Sequence, residues 1–373
     1  MSYLFSPYEL SSPRGPLKLA NRVVVAPMCQ YSAVQGSASD WHLMHWANLL
    51  NSGSAMMIIE ATGVSPEGRI SPQCLGLWDD TTASALQDKL QRARRLAPYT
   101  PVAIQLSHAG RKASRAAPWN GGALLSLEQG GWNTHAPSAI PHQPHERAPL
   151  ALESEGLKEV CDAFVNAAKL AHAIGIEAVE LHAAHGYLLH QFLSPVSNQR
   201  SDEYGGSFEN RIRFPLKVFN AVRAHYSGTL GMRISACDWV DAGWTPEETT
   251  QLSIRLKALG ADFVHISSGG VSSAQKVVVA PNYQVPFASQ VKAQSSLSTI
   301  AVGLITQAQQ ANDIIASGQA DLVALARALL YKPRWTWEAA TVLNGQVQAS
   351  KPYWRCLPKE AQDIFTSMLN TQR

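Results

Sequence analysis

The chain has 373 residues, 46% of them hydrophobic and 16% charged, with a formal charge of +3. This composition describes a globular protein with a sizeable core, and the small charge, without any lysine–arginine run, excludes an electrostatic surface for nucleic acid or anionic membrane. Five scattered cysteines without CxxC spacing exclude a disulfide framework and a cysteine-ligated zinc or iron–sulfur cluster, and they fit a reducing compartment.

Met1–Phe5 shows no charged region followed by an apolar one, and no apolar run could span a bilayer, so the expected location is the cytoplasm. In chain order, strands are predicted at Arg22–Ala26, Met56–Ala61, Val102–Leu106, Ala178–Leu181, Leu230–Ile234, Phe263–Ser267, Thr299–Gly303 and Leu322–Ala326. Amphipathic stretches lie between them, among them Leu157–Ala173, Phe208–Ala224, Pro246–Leu259 and Gln307–Ser317. Gly175, Gly260 and Gly318 follow three of these, where a left-handed residue ends a helix most easily, and Thr245-Pro246 marks a helix start. Eight strands, each followed by a helix, predict an α/β fold of the (β/α)8 TIM-barrel type. An open doubly wound sheet is the alternative, weakened because no Gly-rich turn follows the first strand.

Residues 110–149 are rich in Pro, Gly, Trp and His and have no period, which predicts a loop cap after the third strand. The expected organisation is a barrel over 1–345 and a tail over 346–373, aperiodic except for a short helix near Lys359–Leu369.

In a parallel barrel, chemistry belongs at the carboxyl ends of the strands. There the sequence supplies Ala26-Pro27-Met28-Cys29-Gln30-Tyr31, then Glu60-Ala61, Gln105, and His182-Ala183-Ala184-His185-Gly186-Tyr187. Arg233, Ser267-Ser268, Gly303 and Ala326-Arg327 follow. Val179 and Leu181 read as barrel or sheet interior. Two imidazoles three residues apart, with a phenol two further on, can bind an oxyanion and deliver a proton, hold a metal, or pack. A zinc site would need a third ligand, and no HExxH pattern is present, so no metal is expected. Singly, each residue has a plain structural reading: a hydrogen-bonded histidine, a small buried cysteine, a helix-end arginine, an ordinary turn at Asp202–Gly206. Their joint order tips the balance.

That order closely resembles the Old Yellow Enzyme family of FMN-dependent ene-reductases, and especially its thermophilic-like branch, whose PMCxYS signature stands here as Pro27-Met28-Cys29-Gln30-Tyr31-Ser32. The likeness includes Ser194-Pro195, Asp202-Glu203-Tyr204-Gly205-Gly206-Ser207 and Glu209-Asn210-Arg211, and runs from about Phe5 to Arg355. It implies FMN held by Ala26, Pro27, Met28, Cys29, Ala61, Gln105, His182, Arg233, Gly303, Ala326 and Arg327. Gln105 would meet the pyrimidine edge, Arg233 the N1 and C2-carbonyl side, and Arg327 with Gly303 the phosphate. Cys29 would give a weak hydrogen bond. Where the family has glycine before that arginine, this chain has Ala326.

The resemblance further implies that His182 and His185 donate to a substrate carbonyl oxygen and that Tyr187 protonates the α-carbon, with Tyr31 closing the pocket. The Tyr353-Trp354-Arg355 segment implies that Arg355 reaches a neighbour's site in a homodimer or tetramer. The implied activity is ping-pong ene reduction, with NADPH preferred over NADH as donor. Enones are the expected acceptors, and nitro compounds a further class. Two other classes remain open on the sequence: a flavin-free barrel hydrolase or aldolase, and an FMN-binding barrel that does not turn over.

Overall fold

The computed structural model describes residues 2–361 and 363–366. Eight parallel strands close into one barrel: β1 (Val23–Val25), β2 (Met56–Gly63), β3 (Val102–Ser107), β4 (Ala178–Ala183), β5 (Thr229–Ser235), β6 (Phe263–Ser267), β7 (Ser298–Ala301) and β8 (Leu322–Leu325). Each strand pairs with the next, and β8 returns to β1 through Val323 opposite Val23. Closure excludes the open-sheet alternative. The helices are α1 (Asp40–Leu50), α2 (Asp80–Leu96), α3 (Ser154–Ala173), α4 (Leu188–Leu193), α5 (Phe208–His225), α6 (Pro246–Ala258), α7 (Val285–Ser295), α8 (Ala308–Ala316), α9 (Arg327–Tyr331) and α10 (Trp335–Leu343). Among the described residues no helix is long and apolar enough to cross a membrane.

Local signals explain where the helices start and stop. Thr245 caps α6, its hydroxyl accepting the Glu248 N–H while the Glu248 carboxylate accepts the Thr245 N–H. Gly175, Gly260 and Gly318 take positive φ just beyond α3, α6 and α8, as the sequence predicts. Strand ends move by one or two residues from their predicted places; β4 runs on to Ala183 and β7 stops at Ala301.

One expectation is corrected. Val179 and Leu181 do not face the barrel lumen: they pack with Phe164 and Phe219 of the helices. The lumen is filled by Val24, Met56, Ile58, Ala103, Ala178 and Phe263, and a two-stranded hairpin, Tyr8–Leu10 with Leu17–Leu19, adds Leu10 and Leu19. Strands of a parallel barrel are buried on both faces, so hydrophobicity does not say which face is which. The period of two then turns Glu180 and His182 inward.

Between β3 and α3 the chain forms two 3-10 turns, Gly110–Lys112 and Pro118–Asn120, and a short parallel pair, His135–Ala136 with Leu150–Ala151. The predicted helix near Lys359–Leu369 is also corrected. Among the described residues of this segment only a 3-10 turn, Lys359–Ala361, is present; Gln362 and residues 367–369 lie outside them. Val347 takes the backbone groups a helix would have used, donating to Ile364 and accepting from Thr366, while Phe365 packs edge-on against Trp337.

Candidate active site

Strand period and register build the site in layers. Ala103, Ala178 and Phe263 lie low in the lumen, and two residues further along their strands come Gln105, Glu180 and His265. Arg233 stands opposite His265 and His182 in the register. Glu180, fully buried, accepts from the Gln105 amide at 2.6 Å and from His265 Nδ1 at 2.8 Å. Burial would raise the Glu180 carboxyl, but His265 and Arg233 together hold it below its ordinary value. The lumen therefore carries a carboxylate under a buried guanidinium. A bulge in β2 between Ile59 and Ala61 sets Glu60 off the ladder, and its carboxylate accepts the Gln30 N–H at 3.0 Å.

Above that layer stands the β4 exit loop. His185 takes a left-handed φ of 58°, a conformation that costs a non-glycine residue about 1 kcal/mol or more. Its N–H donates to the Ser235 hydroxyl at 2.9 Å, and its carbonyl accepts the Lys112 ammonium at 2.8 Å. Lys112 also donates to the Gly270 carbonyl and lies over the Tyr187 ring, 5.3 Å from its centre. Behind the loop, buried His190 accepts the Gly186 N–H and donates from Nε2 to Asp238 at 2.9 Å. Strain held by four separate contacts is the signature of a site that needs one geometry.

The rings themselves are close. His182 Nε2 and His185 Nδ1 are 3.3 Å apart, and Tyr187 stands edge-on to His182 with ring centres 4.8 Å apart. Burial, then the charge of Arg233, drives both imidazoles well below 6.5, so each is neutral and carries one N–H. Burial pushes the Tyr187 phenol up, with Cys29 and Tyr31 adding to it, so the phenol keeps its proton. A pH prediction follows. The folded pKa of these histidines lies below the unfolded value, so acidification through about 6.5 protonates the unfolded chain first and lowers stability. The rings stay neutral over that window. Urea unfolding should therefore show the stability of the fold falling as the pH is lowered from about 7 to about 5.

The other predicted residues fall on two sides of this loop. Ala61 lies in a small apolar cluster against which Cys29, Tyr31 and Tyr187 pack, joined by Trp132. Tyr31 meets Trp119 of the cap edge-on at 5.6 Å. Burial raises the Cys29 thiol, which is therefore a neutral, weak donor. Met28 packs partly into the strand–helix core, and Pro27 is half-buried. On the far side, Ala26, His185, Arg233, Gly303, Ala326 and Arg327 line one cavity of about 290 Å3. Gly303 has φ 118°, and a Cβ there would come within 2.9 Å of the Gln284 nitrogen, so this position requires glycine. Ala326 has φ −105°, outside the left-handed region, so its φ does not call for glycine. Arg355 is not brought to this cavity: it lies exposed on a 3-10 turn, Lys351–Cys356, whose Tyr353 packs on Trp337.

The donor set fits an FMN. Arg233 is buried, and among the described residues its Nε is a buried donor with no hydrogen-bond partner, a costly arrangement unless an acceptor belongs there. Gln105 spends an N–H on Glu180 but keeps its carbonyl and a second N–H for a ring edge. The Gly303 and Ala326–Arg327 end offers a guanidinium and close backbone, as a phosphate requires. Sequence reasoning missed Glu180, His265, His190 and Asp238, and it placed Lys112 at the end of the third strand without a role. Only Glu180 and His265 had a signal, since both fall on the inward alternation of their strands.

The sequence profile of the NADH:flavin oxidoreductase / NADH oxidase family matches residues 3–346. An NADPH dehydrogenase of a Geobacillus species is 40% identical over 354 residues, 94% of this chain and 98% of that one. Among solved structures, morphinone reductase aligns with a TM-score of 0.76 at 24% identity, over 97% of this chain and 96% of that one. The old yellow enzyme homologue of Zymomonas mobilis aligns at 0.74 and 22%, over 98% and 99%. At such identities the two structures speak for the barrel, and the family match carries the chemistry. With its strand-end donors grouped as an FMN site requires, the chain belongs to the NADH:flavin oxidoreductase / NADH oxidase family, as an Old Yellow Enzyme-type oxidoreductase that uses FMN and a nicotinamide.

Proposed function

We propose that the protein is an ene-reductase that oxidises NADPH and reduces the activated C=C bond of α,β-unsaturated carbonyl compounds, with nitroalkenes as a further class. The observation that carries this reading is the pair of neutral imidazoles 3.3 Å apart with a protonated phenol against one of them. FMN, when bound, supplies the hydride chemistry, and Ala26, Gln105, Arg233, Gly303 and Arg327 would hold it. His182 and His185 orient the substrate by its carbonyl oxygen and stabilise the charge that grows there, at little reorganisation cost once the oxygen is bound between them. Tyr187 delivers a proton to the α-carbon. Tyr31, met edge-on by Trp119 of the cap, would close one side of the pocket.

The nicotinamide and the alkene use this one pocket in turn, which makes the kinetics ping-pong. NADPH oxidation should depend on added 2-cyclohexen-1-one, with parallel double-reciprocal lines and mutual inhibition at high concentration. Intersecting lines, or no dependence on the enone, would remove the proposal. The preference for NADPH over NADH rests on the relatives' activity. Tyr187→Phe should slow re-oxidation by the enone by about 10²-fold or more and leave reduction by NADPH unchanged. Equal damage to both halves would mean that the tyrosine only shapes the pocket.

Residues 346–373 are proposed as a tail that completes a neighbour's site in a homodimer or tetramer, with 1–345 as the catalytic barrel. Supporting this, Tyr353 anchors the turn on Trp337 while Arg355 stays exposed. Arg355→Ala should raise KM for enone or nicotinamide by about tenfold, the scale of one charge-assisted hydrogen bond. An unchanged KM would mean that the tail serves its own barrel alone.

A further inference from the structure

The proton positions on the histidine pair can be followed atom by atom. The Ala184 N–H donates to His182 Nδ1 at 3.2 Å, so the single proton of that neutral ring sits on Nε2. His182 Nε2–H faces His185 Nδ1 at 3.3 Å, and His185 Nε2 is 2.7 Å from the Ser267 hydroxyl oxygen. Two arrangements of the His185 proton are possible, the second needing an acceptor between the rings. In the first, His185 Nδ1 accepts from His182 and His185 Nε2–H donates to Ser267. The pair is then closed on itself, and neither ring has a proton to spare for a substrate. In the second, His185 carries its proton on Nδ1 and its Nε2 accepts from the Ser267 O–H. Both rings then offer an N–H, and a base of 3.3 Å closes a triangle with two hydrogen bonds of about 2.9 Å to one oxygen after small ring rotations.

Ser267 is built to serve both arrangements. It is 4% exposed at the end of β6, and among the described residues its hydroxyl meets only His185 Nε2 and the Gln284 amide, which donates to it at 3.3 Å. Gln284 is held in turn by the Ser268 hydroxyl at 2.7 Å. With one lone pair given to Gln284, the hydroxyl proton is free to turn toward His185, and that arrangement leaves Ser267 fully satisfied. Meanwhile Ser235 fixes the His185 backbone, so only the ring proton has to move.

We propose that Ser267 is the positioning residue that sets the His185 tautomer: when a carbonyl oxygen enters between the rings, His185 changes from Nε2–H to Nδ1–H and the Ser267 hydroxyl turns to donate to Nε2. One proton leaves Nε2 for solvent and one arrives from solvent at Nδ1, so the ring stays neutral. The inference rests on the ene-reductase reading of the same pocket and adds to it how two neutral histidines can both donate.

The test uses the FMN-loaded, oxidised protein with 15N-labelled histidine, and 2-cyclohexen-1-one added without nicotinamide. In the wild type, nitrogen–proton correlation spectra should show the His185 proton moving from Nε2 to Nδ1 as the ketone binds. Ser267→Ala should lose the Nδ1–H state and weaken ketone binding by about tenfold, and Ser267→Thr should restore both. A role in packing alone would not move the tautomer. Retention of Nε2–H in the wild-type ketone complex would overturn the proposal whatever the variants do. So would a Ser267→Ala protein with unchanged tautomer and affinity. If the reduced wild type fails to be re-oxidised by the enone, the ene-reductase reading itself falls and takes this inference with it; re-oxidation without a tautomer change removes this inference alone.

Discussion

The double variant His182→Ala/His185→Ala is expected to lower kcat/KM for 2-cyclohexen-1-one by about 10³-fold or more, while flavin reduction by NADPH falls far less. Removing one preorganised donor to a developing oxyanion costs about 10²–10³ in kcat. Two rings that share one oxygen, as proposed, would not lose additively, and either single variant should already show most of the effect. Substitution by alanine also opens space beside Tyr187, whose ring rests on His182. A His182→Gln/His185→Asn protein keeps donors of similar reach, Gln in place of Nε2 and Asn in place of Nδ1, and should recover part of the loss. Stopped-flow measurement of the two half-reactions separates the outcomes. If both slow equally, the histidines support flavin binding rather than the substrate oxygen.

The second large effect concerns stability. Glu180→Leu should destabilise the fold by about 3–5 kcal/mol and strip the protein of flavin, because it leaves buried cationic and donor groups without their carboxylate. The Gln105 amide and His265 Nδ1–H both lose their acceptor, and Arg233 loses the charge that most favours its guanidinium. Glu180→Gln retains an acceptor but no charge, and about 1–3 kcal/mol is expected. The pH dependence has a definite sign. The folded pKa of Glu180 lies below its unfolded value, so its contribution is present at neutral pH and is lost as pH falls through the folded value. Urea unfolding of wild type and both variants at pH 7 measures these differences. A Glu180→Leu protein as stable as wild type, with full flavin, would show that the lumen layer is not held by charge.

Much of the molecule is readable in its sequence, for identifiable physical reasons. Barrel strands are short apolar runs, and helices with capping residues separate them, so runs such as Val102–Ser107 and Phe263–Ser267 stand out. The strand-end motifs are equally plain because catalytic residues must emerge where a strand stops. What hid was whatever depends on contact between distant segments. The His190–Asp238 pair spans 48 residues, and nothing local marks either partner. Lys112 looks like a cap residue, and only the fold brings its ammonium to the His185 and Gly270 carbonyls. Glu180 escapes notice because it stands between Val179 and Leu181: two apolar neighbours read as the interior, whereas they face the helices and the glutamate faces in. The tail failed for a different reason. Its residues have a helix-compatible composition, but pairing with Val347 outweighs that weak preference.

The central claim is that one pocket serves both a nicotinamide and an enone. Its most direct test is to reduce the purified holoprotein with one equivalent of NADPH under anaerobic conditions and then add 2-cyclohexen-1-one. The yellow colour should bleach on the first addition and return on the second, with cyclohexanone formed in proportion. A protein that does not bleach with NADPH or NADH, or that bleaches and stays bleached in the presence of the enone, would contradict the account.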